Sequence, residues 1–240
     1  MSGHSKWSKI KRQKQAKDVE KGAIFSKLSR LITLAVTEGG GIPDPDLNVR
    51  LRLAVEKAKQ YNMPKDNITR AIEKGSGPDK ISLKEVRYEA FAPHGVVMLI
   101  FAATDNQNRA ITEVRNTLER HGGKLGNQGS VAYLFEKRGV LHFDKNQNSQ
   151  DNILKFAEKI QAIDIDEDEN TTTVYFPYEN IGKVGNFLDN FKGDAPEVEF
   201  IASSSVSLNK EDQNKTIALI EAIEQIDDVQ NVYTNAVFTE

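Results

Sequence analysis

The spacing of the apolar residues changes once along the chain, between about residues 76 and 86, and this change constrains the fold more than any other feature of the sequence. Before it, Phe25, Leu28, Leu31, Ile32 and Ala35 recur at helical intervals, and Gly39 to Gly41 supply a stop. Leu47, Leu51, Ala54, Val55 and Ala58 repeat the pattern. A shorter third helix follows Pro64 through Ile68, Ala71 and Ile72 and ends at Gly75. Three helices with short connections bury one shared seam, so residues 22–79 are expected to form a helical bundle, with "GSGPD" as the linker that leaves it.

From Val86 the runs are short and β-like. "VRYEAFA" and "VVMLIFAAT" flank a turn at Pro93, His94 and Gly95, which predicts a hairpin. "NQNRAITEVRNTLERH" predicts a helix closed by Gly122 and Gly123, and "SVAYLFE" a further strand. "GVLHF", a helix around Ile153–Ile160, "AIDID", "TTTVYFP", a helix around Ile181–Phe191 and "EVEFIA" then spell strand-helix-strand-strand-helix-strand, the split βαβ order. "SVSLN", a helix with Ile217, Leu219, Ile220 and Ile223, and "VQNVYTNAVF" are expected to complete the sheet begun at Val86. The expected class is therefore α+β: an N-terminal three-helix domain followed by two α/β, ferredoxin-like domains, the second inserted in the first. The expected boundaries are a basic arm over 1–21, the bundle over 22–79, an α/β domain made of 80–137 plus 205–240, and an inserted α/β domain over 138–204.

Charge is divided along the same lines. Residues 1–80 hold 17 Lys and Arg against 9 Asp and Glu, a net +8, and the rest of the chain is −11, which the overall −3 conceals. Such a division concerns polyanionic partners and not the fold. The 240 residues contain no cysteine, which excludes disulfides, thiol nucleophiles and cysteine-held zinc and fits a reducing compartment, so a cytoplasmic location is expected. No stretch approaches the roughly 18 apolar residues of a membrane span, and no membrane partner is expected.

The densest positive charge lies in "MSGHSKWSKIKRQKQAKDVEKG", where six lysines and Arg12 face only Asp18 and Glu20. Read as a helix, Lys6, Lys9, Lys14, Lys17 and Lys21 fall within an arc of about 140°, with Lys11 and Arg12 to either side. The opposite face offers Ser8, Gln15, Ala16 and Val19, too little for a membrane-surface helix or a mitochondrial presequence. A solvated helix end would also read this way, but so many like charges repel one another unless an anion neutralises them. Nucleic acid is the polyanion that fits. Trp7 has two readings of equal weight, stacking on an unpaired base or packing on the bundle with Ile10. Arg50, Lys57 and Lys59 are the cations of the bundle expected to join the arm.

These residues also carry a resemblance. "GHSKWSKIKRQKQAKDVEKGAIFSKL", "NVRLRLAVEKAKQYNMPKDNITRAIEKGSG" and "YEAFAPHGVVMLIFAATDNQNRAITEVRNTLERHGGKLGNQGSVAYLFEKRGV" resemble the YebC/PmpR family, whose eukaryotic relatives include the mitochondrial translational activator of cytochrome c oxidase. The likeness continues more loosely to the C-terminus. It implies three domains, no enzymatic activity, and a role described for some members as DNA-binding transcriptional regulation and for others as work on stalled ribosomes. Ala23, Phe91, Ala92 and His94 depart from the family's usual residues.

Other constellations are weaker. "HGGKLGNQGS" lacks the signature of a phosphate or dinucleotide loop, so it reads either as a helix-to-strand turn or as a loop whose amides touch phosphate or peptide. Asn106 and Arg109 of "TDNQNR" are expected at the same sheet edge, giving with Lys124 a second contact, and capping by Asp105 or Asn106 is the simpler account of that stretch. "DIDEDEN" spaces Asp164, Asp166 and Asp168 like a calcium loop, but Glu169 and Tyr175 stand where glycine and glutamate are required. No metal, cofactor or small-molecule substrate is expected, and a hydrolase built on Glu89, Asp105 and His121 ranks last. The reading is a nucleic-acid-binding regulator of gene expression. Its partner is DNA or ribosomal or transfer RNA, with the ribosome favoured because an irregular RNA suits a cationic arm with one aromatic. An adaptor that uses its acidic domains to bind a basic protein surface is the alternative.

Overall fold

The computed structural model describes residues 21–78, 80–187 and 193–238. Three helices come first, α1 (Lys21–Glu38), α2 (Val49–Gln60) and α3 (Lys65–Ser76). Their shared seam is Leu28, Ile32, Ala35 and Val36 of α1, Leu51, Ala54, Val55 and Ala58 of α2, and Ile68 and Ala71 of α3. Asn48 caps α2, its Oδ1 accepting from the Leu51 amide at 3.0 Å, while its Nδ2 donates to the Ala35 carbonyl at 3.0 Å and so ties the cap to α1. Helices α1 and α3 cross where Gly75 has no side chain: a Cβ there would lie 2.7 Å from Val36 Cβ.

The remaining elements, in chain order, are β1 (Lys84–Phe91), β2 (Val97–Thr104), α4 (Gln107–Arg120), β3 (Lys124–Leu125), β4 (Phe135–Asp144), α5 (Gln150–Ile160), β5 (Asp164–Glu167), β6 (Thr171–Pro177), a 3-10 segment (Tyr178–Phe187), β7 (Glu197–Ala202), β8 (Val206–Ser207), α6 (Lys210–Glu224), β9 (Val229–Thr234) and β10 (Ala236–Val237). They form a sheet of order β3-β1-β2-β9, a second of order β5-β6-β4-β7, and a two-stranded pair of β8 with β10. The chain divides into two compact units, residues 136–201 and the rest of the described chain.

In the larger unit the β1–β2 hairpin pairs Ala90 with Met98, Tyr88 with Ile100 and Val86 with Ala102. These residues face Val114 and Leu118 of α4 and Leu219, Ile220 and Ile223 of α6, forming the main core with Val229 and Val232 of β9. The other sheet face is met by α1, whose Leu34 packs on Leu83 and Ala103. Arg50 at the start of α2 pairs with Glu38 of α1 and with Glu85 of β1, at 2.7 Å for the latter. Helices and first sheet thus belong to one compact unit.

The unit of 136–201 follows the split βαβ order, its four strands lying second, third, first, fourth across the sheet. Gly139 is opposite Phe176, whose ring occupies the space a side chain would take. Phe143 and Phe156 meet edge to face at 5.1 Å between centroids, joining β4 to α5.

Four sequence expectations need correction. "SVAYLFE" is not a separate strand: Ala132–Leu134 is a 3-10 turn, and β4 runs unbroken from Phe135 through "GVLHF". The reason is tertiary, because the amides of Val131 and Ala132 donate to Glu89 instead of to a strand. The helix placed over Ile181–Phe191 is a 3-10 segment from Tyr178 to Phe187, with Gly182 and Gly185 lowering α propensity, and its predicted end lies outside the described residues. "SVSLN" does not enter the sheet begun at β1 but pairs in parallel with β10. The GGK loop and "TDNQNR" lie at opposite ends of the first sheet: Lys124 is opposite Phe91, whereas Thr104, which leads into "TDNQNR", is opposite Lys84.

Candidate nucleic-acid interface

Lys6, Trp7, Lys9, Lys11, Arg12, Lys14 and Lys17 lie outside the described residues, and Lys21 is the first residue of α1. Of the bundle cations, Arg50 is engaged by Glu38 and Glu85 and acts as a brace between α1, α2 and β1. Lys57 is half-buried and Lys59 exposed, both in the last turn of α2, where positive charge also complements the helix dipole.

Asn106, Arg109 and Lys124 are not brought together as one contact. Asn106 is the N-cap of α4, its Oδ1 accepting from the Arg109 amide at 3.1 Å. The Arg109 guanidinium donates to Asp105 at 2.8 Å and to Asp228 at 2.9 Å. Its affinity for the proton is raised first by the bond to Asp228 and then by that to Asp105. Conversely, the hydrogen bond from Arg109 holds the Asp105 carboxyl below its ordinary range, overcoming the opposing effect of burial.

Asp228 is the centre of this cluster and was not foreseen from the sequence. It is 2% exposed and also accepts from Thr104 Oγ1 at 2.8 Å, while Arg30 of α1 approaches it at 2.8 Å. Two arginines and a hydroxyl neutralise one buried carboxylate and tie α1, β2, α4 and the α6–β9 turn together. The only signal in the sequence was an acid flanked by the apolar residues of "IEQIDDVQNV". The cleft beside it holds about 540 Å³ and is lined by Arg30, Arg109, Asp105, Glu113, Asp227 and Asp228, among others. Its carboxylates outnumber its arginines, and both arginines already serve Asp228, so it is not a phosphate clamp.

A second organised feature is the loop after β3. Glu89, buried in β1, accepts from the amides of Gly129 at 2.7 Å, Val131 at 2.7 Å and Ala132 at 2.9 Å. Burial alone would raise its pKa, but the amides of Val131, Gly129 and Ala132, with Arg87 nearby, outweigh it and hold the carboxyl below its ordinary value. Lys124 lies 5.5 Å from the centroid of the Phe91 ring at the same end of β1. The three residues considered for hydrolysis do not converge: Glu89 is bound by the loop, Asp105 by Arg109, and His121, at the far end of α4, donates from Nδ1 to the Thr117 carbonyl at 2.9 Å. Among the described residues no group of His, Asp and Glu is placed to hold a metal ion, and no helix is long and apolar enough to cross a membrane.

Comparison with known proteins covers nearly the whole chain. Residues 5–78 match the family described as the TACO1/YebC protein N-terminal domain, and residues 83–236 that described as the TACO1/YebC second and third domain. A protein of Borrelia turicatae named "probable transcriptional regulatory protein" is 47% identical over 98% of this chain and 97% of its own length. One of the same description from Nitrosococcus oceani is 42% identical over 100% of this chain and 97% of its own. The crystal structure of a conserved hypothetical protein from Aquifex aeolicus superposes with a TM-score of 0.84 at 38% identity, covering 93% of each chain.

Proposed function

Because the chain belongs to the TACO1/YebC family, we propose that it is a non-catalytic regulator of gene expression that binds nucleic acid through the cationic segment 1–21. The observation that carries this reading is the charge of that segment, seven Lys and Arg against two acids in a chain that is otherwise acidic. Lys6, Lys9, Lys11, Arg12, Lys14, Lys17 and Lys21 contact phosphates, Trp7 stacks on a base or packs on the bundle, and Lys59 and Lys57 extend the positive surface along α2. Arg50 and Arg109 contribute to the scaffold and not to the contact.

The partner we favour is RNA of the translating ribosome. The exposed side of α3 mixes Lys65, Arg70 and Lys74 with Asp66 and Glu73, a pattern unlike a base-reading helix of duplex DNA, whereas a cationic segment with one aromatic suits irregular RNA. A DNA-binding transcriptional role is the second reading, and the names carried by the bacterial relatives favour it. Ultraviolet crosslinking in growing cells, followed by sequencing of the bound nucleic acid with a Δ2–21 variant as control, separates the two. Reads on ribosomal or transfer RNA that vanish in the variant support the first, and reads on promoter DNA the second. In vitro, replacing Lys6, Lys9, Lys11, Arg12 and Lys14 together by Gln is expected to weaken binding and to flatten the dependence of log affinity on log salt by up to about 3.5 for a single strand. An unchanged affinity and slope would remove the segment from the interface.

A further inference from the structure

The loop after β3 is built around an internal anion. The Glu89 carboxylate takes three of its amides, the Gly126 amide donates to the Glu89 carbonyl at 2.7 Å, and Gly129 adopts φ +86°, which favours glycine. A backbone-amide site for phosphate is thereby already filled by a carboxylate from the fold itself. What the loop offers outward is different. Tyr133 is 75% exposed, more than any other large apolar side chain described, although the Ala132 amide next to it is tied to Glu89. Asn127 and Gln128 are exposed on the same loop, and Lys124 is exposed before it.

A ring held in water by a pinned backbone is costly to leave uncovered and loses little conformational freedom when something covers it. The residues around it decide what fits. From Arg120 to Leu134 there is no carboxylate, the nearest along the chain being Glu119 and Glu136, while Arg120 and Lys124 are exposed cations and Asn127 and Gln128 supply amide donors and acceptors. The exposed side chains of this stretch are otherwise polar and cationic, which suits a nucleic acid better than an apolar protein surface. An unpaired nucleobase matches each group: its face stacks on the ring, its edge pairs with the amides, and its phosphate meets Lys124. We propose that Tyr133 is a stacking platform for an unpaired nucleobase, carried on the Glu89-anchored loop and distinct from the cationic N-terminal segment. It rests on the nucleic-acid reading above.

The test uses full-length protein and a single-stranded RNA 12-mer containing one 2-aminopurine, whose fluorescence is quenched when it stacks on an aromatic ring. Affinity, quenching and the residue that acquires a zero-length ultraviolet crosslink are compared for the wild type, Tyr133→Ala, Tyr133→Phe and the five-residue N-terminal Gln variant. The expected result is a roughly tenfold or greater loss of affinity in Tyr133→Ala with quenching at saturation reduced and the salt slope unchanged. Tyr133→Phe should bind and quench like the wild type. The N-terminal variant should lose salt slope but keep residual quenching at high protein concentration. Wild-type affinity and quenching in Tyr133→Ala, with binding lost in the N-terminal variant, would overturn the platform and leave the nucleic-acid reading standing. No binding by the wild type would overturn both.

Discussion

Glu89 places a carboxylate in the middle of a strand, 2% exposed, where an unpaired charge would be among the most damaging residues a core can hold. Three loop amides make it the opposite, the point from which Gly126 to Ala132 is organised. Its folded pKa lies below that of the unfolded chain, so its contribution is fully present above the unfolded value of about 4.3 and is lost as the pH falls through the folded value. Glu89→Gln turns an amide donor towards a backbone donor. It is expected to cost about 1–3 kcal/mol at neutral pH and progressively less as the pH falls through the folded value, as read by urea denaturation at neutral pH and at the acid end of a pH series. An equal loss at both would mean that charge is not what the loop requires.

At the scale of the element, the α1–α3 crossing shows how a weak helix former can be required. Glycine costs a helix about 1 kcal/mol relative to alanine, yet a Cβ at Gly75 would meet Val36 Cβ at 2.7 Å and the Thr33 carbonyl oxygen at 2.8 Å. The clash outweighs the propensity gain. Gly75→Ala is therefore expected to lower the denaturation midpoint by the equivalent of about 1–3 kcal/mol, whereas Gly22→Ala, with nothing within 4 Å, should leave it unchanged or raise it. A stabilised Gly75→Ala protein would contradict the close approach. The same scale shows what the sequence made legible. The three helices were readable because Leu28, Ile32, Leu51, Val55 and Ile68 obey a local period, and the hairpin because its turn residues sit between alternating runs. What was not readable depends on partners far away in the chain: the 3-10 turn at Ala132 on Glu89, and Asp228 on Arg30 nearly 200 residues earlier. The two-residue strand β3 is too short to show any period. Arg50 and Arg109 looked like ligand-binding cations because a sequence displays charge without showing which carboxylate answers it.

In the whole molecule, the unit of 136–201 has its own sheet, helix and aromatic contact. The chain leaves and re-enters the larger unit at neighbouring points, since the Ser203 amide donates to the Leu134 carbonyl at 2.7 Å. Residues 136–201 expressed alone are expected to fold, and the intact protein to unfold in guanidinium in two transitions when followed by fluorescence and circular dichroism, each slope scaling with the surface its unit exposes. Superimposable single transitions by both probes would show that the two units unfold as one. The order of synthesis adds a further consequence. Strand β9 pairs with β2, yet it leaves the ribosome about 125 residues later. By then residues 136–201 are complete, while Met98 to Ala102 still present an open sheet edge. A nascent chain interrupted between residue 201 and β9 therefore carries a finished inserted unit together with an unfinished sheet. Such a product displays a marker for chaperones and proteases that the complete protein hides.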